Sequence, residues 1–228
     1  GDFSGGYATR RINPFQVLAL SALAGIAVLF TAAIVNQEGF PSTSGIIWSL
    51  LAGLSGAIGI SALYSALSRG NAAAVAPISA VLGAALPVGF TFLTSGTPAA
   101  IQLIGFVIAF IGIWLVSSSN IKDPSRKHTG IGLAFLAGAA FGGYFIFIGQ
   151  VETSGVFFPL LFARGVMLVV ALLFLIFKRL PFPSISKNPV GLLAGLLDST
   201  GNVFFLLAKN LSRLDYAVIV SSLYPAIT

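Results

Sequence analysis

Long apolar stretches separated by short polar segments dominate the 228 residues of the chain. A helix needs about 20 residues to cross the ~30 Å apolar core of a bilayer, and most of these stretches have that length. Breaks rich in Gly, Pro, Ser and Asn separate predicted spans at 14–35, 45–67, 72–93, 99–116, 130–150, 157–177 and 190–209. The stretches are continuously apolar, whereas barrel strands alternate in hydrophobicity, so the pattern predicts an all-α, polytopic bundle of membrane helices.

Two incomplete spans flank this series. Residues 1–9 have the composition of the end of a first helix, and the apolar run that begins at Tyr216 is too short to cross a bilayer. Residue 1 is Gly rather than Met. We therefore expect about nine helices, seen in part, in a piece of a longer protein that is interrupted within a helix at both ends.

Composition excludes several classes of protein. Hydrophobic residues make up 57% and charged residues 8% of the chain, whereas soluble domains average about 25% charged residues. The net charge of +6 would suit nucleic acid, but the basic residues lie at the ends of apolar runs, as they do in membrane proteins. The chain has no Cys and one His, His128, in a polar segment. We therefore expect no catalytic residue, no metal site and no cofactor.

A short repeat divides the chain into two units. Leu-Ala-Gly-Leu at 51–54 recurs at 193–196, and Leu-Ser-Arg at 67–69 recurs at 211–213. These matches pair the third span with the eighth, which implies five helices per unit, in residues 1–116 and 130–228, with a polar linker at 117–129. Because five is odd, the second unit enters the membrane from the opposite side. Inverted repeats of this kind place the substrate site of many secondary transporters near the bilayer midplane.

Three segments carry a family resemblance. The first is Leu63-Tyr64-Ser65-Ala66-Leu67-Ser68-Arg69-Gly70-Asn71-Ala72-Ala73, followed by Ala76-Pro77 and Leu86-Pro87. The second is Gly105 through Gly112 with Leu115, and the third is Gly1-Asp2-Phe3-Ser4-Gly5-Gly6 with Arg10-Arg11. The first resembles the EamA-type domain of the drug/metabolite transporter superfamily. The second is similar to the fifth helix of its repeats, and the third to the end of a first helix in one bacterial branch.

This resemblance covers the whole chain and implies ten helices, so the chain would lack the start of helix one, the end of helix nine and helix ten. It implies a multi-pass secondary transporter of the cell membrane, in bacteria the inner membrane. Such a protein exports or takes up a small organic metabolite by alternating access, driven by proton coupling or by exchange. Its expected partners are the solute and the bilayer but no nucleic acid, and both a monomer and a homodimer fit.

Basic residues divide unevenly between the two sets of loops. The loops after spans two, four, six and eight contain Lys209 and Arg213. The loops after spans one, three, five and seven contain nine basic residues, namely Arg10, Arg11, Arg69, Lys122, Arg126, Lys127, Lys178, Arg179 and Lys187. The positive-inside rule places the nine in the cytoplasm. A ten-helix chain would then have both termini outside, which departs from the inside termini usual in the family.

Ionisable side chains inside spans are costly and mark candidate functional positions. At 1.5 Å per residue, Asp2 lies ~12 Å from Arg10 and Asp198 lies ~12 Å from Val190, so both carboxylates lie near the midplane. Two neighbouring carboxylates cannot both ionise cheaply, so one can hold a proton. We therefore expect Asp198 and Asp2 to be candidates for proton coupling, with local hydrogen bonding of each as the alternative.

Two further polar residues accompany Asp198. Asn202 lies at i+4 and therefore shares its helix face, which predicts that both line a polar cavity. Arg164 lies ~10 Å from the opposite end of the neighbouring seventh span. It could reach Asp198, bind an anionic group of a solute, or serve only as a snorkelling or structural cation.

Hydroxyl-bearing residues and prolines complete the candidate site. Tyr64 and Tyr144 suit an amphipathic solute, with interfacial anchoring as the alternative, and Ser61, Ser222 and Tyr224 are weaker cavity candidates. Pro77, Pro87 and Pro225 interrupt helices four and nine and are candidate hinges. The family resemblance implies a central cavity among helices one, three, four, six, eight and nine, where most of these residues lie.

Two other functions compete with transport. A non-transporting scaffold or regulatory subunit would have a polar cavity that leads nowhere. An intramembrane enzyme is the weaker alternative, because it would need a nucleophile with a base or a metal cluster. Only an Asp2–Asp198 pair could supply such chemistry here.

Overall fold

The structure is a computed structural model that describes residues 1–68, 72–96, 130–152 and 155–221, with isolated helical positions between 100 and 115. Within residues 72–77, Val75 is the residue whose side chain is described. Of the sequence predictions, half of the fifth span at 99–116 falls outside these residues, and the linker at 117–129 falls entirely outside them.

Everything regular in the described part of the chain is helical, which confirms the all-α class. The helices are α1 (Asp2–Ala8), α2 (Pro14–Val35), α3 (Thr43–Leu67), α4 (Ala72–Ser95), α5 (Ile131–Gly149), α6 (Phe157–Phe177), α7 (Pro189–Leu211) and α8 (Leu214–Ser221). Six of them, α2 to α7, are long and apolar enough to cross a membrane, with Ile78–Ser95 as the qualifying part of α4. The fold is therefore a polytopic helical bundle.

Local sequence explains where two of these helices begin. Asn13 caps α2 by accepting a hydrogen bond from the Phe15 backbone N–H (3.0 Å), and the Gln16 side chain accepts one from the Asn13 N–H (3.0 Å). Pro14 occupies the first helical position, where its missing N–H costs nothing. In α3, the Ser42 hydroxyl accepts a hydrogen bond from the Gly45 N–H (3.1 Å), so the helix begins two residues before the predicted span.

Helices from the two halves of the chain interleave. In the described part, α2 packs on α6 and α7, α3 packs on α5 and α6, and α4 packs on α5. Small residues allow these approaches, as is usual between membrane helices. A Cβ on Gly195 would overlap the carbonyl of Ser21 in α2, and a Cβ on Gly53 would lie 2.8 Å from Cα of Ala163 in α6. The bundle is therefore held by backbone contact as well as by side chains.

Contacts between loops sort the helix ends onto two faces. The Arg213 guanidinium donates to the Gly96 carbonyl (3.2 Å), and the Lys209 amine donates to the Val151 carbonyl (3.4 Å). At the opposite ends of the helices, the Gln16 amide donates to the Pro181 carbonyl (2.8 Å). The ends of α4, α5 and α7 therefore share one face, and the start of α2 and the end of α6 share the other. The division of the basic residues between two sets of loops assumes the same arrangement of helix ends.

Candidate functional site

An ion pair between α6 and α7 lies at the centre of the site. The Arg164 guanidinium is buried, with 3% of the side chain exposed, and its Nη2 donates to Oδ2 of Asp198. Its Nη1 points to the sulfur of Met167 at 3.8 Å. Gly25 of α2 allows close packing here, because a Cβ there would overlap the Ser199 hydroxyl of α7 and would lie 3.3 Å from Cδ and Nε of Arg164. Of the roles open to Arg164 from the sequence, the structure shows the pairing with Asp198.

Asn202 lies one turn after Asp198 and shares its face, as the i+4 spacing predicts. Its Nδ2 donates to the backbone carbonyl of Asp198 at 2.8 Å and lies 3.4 Å from Oδ1 of the carboxylate. The Asp198 side chain is 26% exposed. The carboxylate is therefore held from two sides and remains accessible.

The accessible side of this cluster opens on a cavity of about 330 Å³. Helices α1, α3, α4, α5, α6, α7 and α8 all contribute to its wall. The polar and aromatic residues of the described lining are Asp2, Asp198, Ser79, Asn202, Ser221, Phe141, Tyr144, Phe145 and Phe205. The structure thus brings Asp2, Asp198, Asn202 and Tyr144 together, four of the residues selected from the sequence.

Tyr64 and Ser61, which the sequence also selected, are buried behind the residues that line the cavity. Tyr64 is 2% exposed, and its ring packs so closely on α1 that a Cβ on Gly5 would overlap its hydroxyl. Ser61 is buried, and its hydroxyl has no hydrogen-bond partner among the described residues. Neither residue belongs to the described lining of the cavity.

The described residues include two of the three candidate hinge prolines and the first part of the ninth predicted span. Helix α4 runs through Pro77 and Pro87 as one helix. Pro87 has no N–H to donate to the carbonyl of Gly83, a residue that lines the cavity, and its own carbonyl accepts from the Thr91 hydroxyl (2.8 Å). Ser222, Tyr224 and Pro225 lie outside the described residues. The hinge assignments stay predictions.

Sequence reasoning missed the aromatic part of the wall. Phe145 contacts both Tyr144 (ring centroids 5.5 Å apart) and Phe205 of α7 (4.6 Å). Phe141 and Phe145 are four residues apart, so they share a helix face. That spacing was visible in the sequence, but an apolar span full of phenylalanine gives no sign of which ring faces a cavity.

Glu38 was also missed, because a single acidic residue in a polar loop gives no sign of a distant partner. Its carboxylate accepts hydrogen bonds from the backbone N–H groups of Val156 (2.9 Å), Phe157 (2.8 Å) and Phe158 (2.7 Å) at the start of α6. Free N–H groups at a helix N-terminus favour an anion. Because the partners are 118 to 120 residues away, no local motif could have revealed this contact.

A second ion pair, between Arg213 and Asp215, lies at the start of α8, away from the cavity. Asp215, 1% exposed, accepts from Arg213 at 3.1 Å, and these hydrogen bonds raise the pKa of the Arg213 guanidinium. Arg213 also binds the end of α4 through the Gly96 carbonyl. In the described residues no group of three or more His, Cys, Asp or Glu could hold a metal ion.

These observations define a class: a multi-pass membrane protein built as a helical bundle, with charged side chains around an internal cavity. A family model for the EamA-like transporter family matches residues 3–118, which are 116 of the 228 residues. The chain belongs to this family, and the resemblance read from the sequence is confirmed over that range. A search of curated proteins gave no match.

Proposed function

We propose that the protein is a secondary transporter that moves a small organic metabolite across the cytoplasmic membrane, in bacteria the inner membrane, by alternating access. The observation that carries this proposal is the cluster of Asp2, Asp198 and Asn202 at one cavity between the helices. Ionisable residues inside membrane helices mark paths for substrates and ions. The volume of about 330 Å³ falls within the range of small-molecule sites, roughly 300–1,000 Å³.

The packing of the helices supports a mechanism based on two inverted five-helix units, residues 1–116 and 130–228. If α3 corresponds to α7 and α2 to α6, then the contact of α3 with α6 has its counterpart in the contact of α7 with α2. The contact of α3 with α5 likewise has its counterpart in that of α7 with α1. Two related units around a shared site permit the rocking motion that exposes the site to each side in turn.

Proton coupling follows from the two carboxylates that share the cavity. Asp2 and Asp198 line the same cavity, and two neighbouring carboxylates disfavour the ionisation of both, so one of them can take up a proton. We propose that protonation at Asp2 or Asp198 alternates with solute binding. Exchange of one solute for another is the competing driving force, and a pH gradient distinguishes the two.

The alternatives make different predictions for the same experiment. A scaffold or regulatory subunit has a cavity but no flux, and an intramembrane enzyme converts its solute chemically. The transporter character of the family favours flux without conversion. We propose a small-molecule solute and the bilayer as partners, and no nucleic acid.

The test uses full-length protein in proteoliposomes. Amino acids, sugars, cationic drugs and nucleobases are offered with and without a pH gradient, and the recovered solute is checked for chemical change. We expect flux of at least one class above that of protein-free vesicles. No flux with any class would favour the scaffold, and chemical conversion of the solute would favour the enzyme.

A further inference from the structure

We propose that the protein has a second binding site, which takes an anionic phosphate or carboxylate group at the face where α4, α5 and α7 end. A cavity of about 320 Å³ lies there, which is within the range of small-molecule sites, roughly 300–1,000 Å³. The polar residues of its described lining are Thr91, Thr94, Ser95, Gln150, Lys209 and Arg213. This site goes beyond the proposed transport function and does not depend on it.

The second cavity lies along the same helices as the first but nearer to their ends. On α4 the described lining of the first cavity ends at Ala84, and that of the second begins at Phe90. On α5 the corresponding residues are Phe145 and Gly149. At 1.5 Å per residue, these steps correspond to ~9 Å and ~6 Å along the helix axes. The two cavities therefore share helices but not residues.

The charged side chains of the second lining are both basic, Lys209 and Arg213. They are also the two basic residues of their set of loops, whereas the other set contains nine. The basic residues of this face therefore converge on one cavity. Glu152 is an exposed acid in the loop after α5, but it lies outside the described lining, and no ion pair joins it to Lys209 within the described residues.

The ion pair between Arg213 and Asp215 has its positive end at the cavity. The Asp215 side chain is 1% exposed and lies outside the lining, whereas Arg213 is 32% exposed and belongs to it. The pair of Arg164 and Asp198 has the opposite arrangement, since its carboxylate lines the first cavity and its guanidinium is buried. An anion in the second cavity would lie closer to the guanidinium of Arg213 than to its carboxylate partner, so this pair attracts anions although it is neutral as a whole.

Both cations keep hydrogen-bond donors for a ligand. The Lys209 amine has three N–H donors, and one of them lies 3.4 Å from the Val151 carbonyl. Arg213 donates to Asp215 through Nε (3.2 Å) and Nη2 (3.1 Å). Its Nη2 also donates to the Gly96 carbonyl (3.2 Å), whereas Nη1 has no partner in the described part of the chain. Phosphate and carboxylate groups offer several acceptor oxygens and form strong hydrogen bonds with such cations.

Four related probes test the charge requirement: phenyl phosphate, benzoate, benzyl alcohol and benzylamine. They share an aromatic ring, and at pH 7 their polar ends range from negative to positive. Their binding to the purified full-length protein is measured by equilibrium dialysis in an uncharged detergent and a low-salt buffer. We expect at least one of the two anions to bind at least about tenfold more tightly than the alcohol, and the amine to bind more weakly. If neither anion binds more tightly than the alcohol, the inference is overturned.

Variants assign the binding to the second cavity. Lys209→Met removes one cation, so we expect it to lose most of the preference for the anion, whereas Lys187→Met changes an exposed lysine of the opposite face and should keep it. Arg213→Met/Asp215→Leu keeps the net charge and leaves no buried carboxylate unpaired, but it removes the positive end of the pair and should also weaken anion binding. Size-exclusion chromatography checks the fold of each variant. An unchanged preference in Lys209→Met and in the double variant, or an equal loss in Lys187→Met, would contradict the assignment.

A dissolved solute and a lipid headgroup both carry such anionic groups, and basic pockets between membrane helices bind headgroups. Competition with short-chain phosphatidylglycerol, with phosphatidylcholine of the same chain length as the control, distinguishes these sources. Displacement of the bound probe by phosphatidylglycerol alone would assign the site to a headgroup, and no displacement would assign it to a solute. Both results support an anion site. Solute flux without anion binding would refute the second site and leave the transport proposal standing.

Discussion

Arg164 of α6 and Asp198 of α7 form an ion pair in which the guanidinium is 3% exposed and the carboxylate is 26% exposed. The cation therefore lies within the protein, and the anion lies at the surface of the cavity. Each partner compensates a charge that would be costly at this depth. The pair thus connects α6 to α7 and also holds a carboxylate at the cavity.

Removal of one partner should destabilise the protein more than removal of both. Asp198→Leu leaves the Arg164 guanidinium, which is 3% exposed, without its anion, and breaking a buried pair in this way costs roughly 3–5 kcal/mol. Arg164→Met/Asp198→Leu replaces the pair by apolar groups, and we expect a much smaller loss. Chemical unfolding in detergent, followed by fluorescence, measures the difference. Equal losses in the two variants would show that the two residues are not coupled.

The Glu38 carboxylate should stabilise the start of α6. Glu38→Gln removes the charge, and a side chain with one amide oxygen cannot accept the three hydrogen bonds donated by the N–H groups of Val156, Phe157 and Phe158. Loss of an N-terminal cap costs roughly 0.5–2 kcal/mol. We expect a lower unfolding temperature for this variant than for Glu152→Gln, an exposed acid in the neighbouring loop. If both variants unfold with the wild type, the contact contributes nothing to stability.

Close packing of α2 and α7 should depend on Gly195. A Cβ there would lie 2.7 Å from Cα of Ser21, so Gly195→Ala should cost at least the roughly 1–3 kcal/mol typical of overpacking. Gly201 lies in the same helix, and a Cβ there would meet nothing within 4 Å beyond its own stretch of helix, so Gly201→Ala should leave stability unchanged or slightly improved. The fraction of folded protein after mild heating, measured by size-exclusion chromatography, compares the two. Similar behaviour of both variants would refute the close contact.

The division of basic residues predicts which face is cytoplasmic. The 228 residues contain no cysteine, so single cysteines report their own positions. In intact cells we expect Glu152→Cys to react with a membrane-impermeant maleimide and Lys187→Cys to react only after the membrane is permeabilised. The reverse pattern would place the nine basic residues outside and would contradict the positive-inside assignment.

Much of the bundle could be predicted from the sequence, because a membrane span needs about 20 apolar residues and such runs are unmistakable. The same physics made Asp198 and Arg164 conspicuous, since a charge within a span needs a partner or a cavity. Other features depend on contacts between distant parts of the chain. The role of Glu38 requires knowledge that its loop lies beside residues 156–158. Tyr64 lies against Gly5, behind the residues that line the cavity. This position likewise depends on how α1 packs against the rest of the bundle.

The most direct test of the central claim compares proton-driven solute flux in proteoliposomes for the full-length wild type and for Asp198→Asn. The variant is first shown to be monodisperse by size-exclusion chromatography. If Asp198 belongs to the transport site, flux driven by a pH gradient falls at least about tenfold in the variant. Unchanged proton-driven flux in Asp198→Asn would contradict the account.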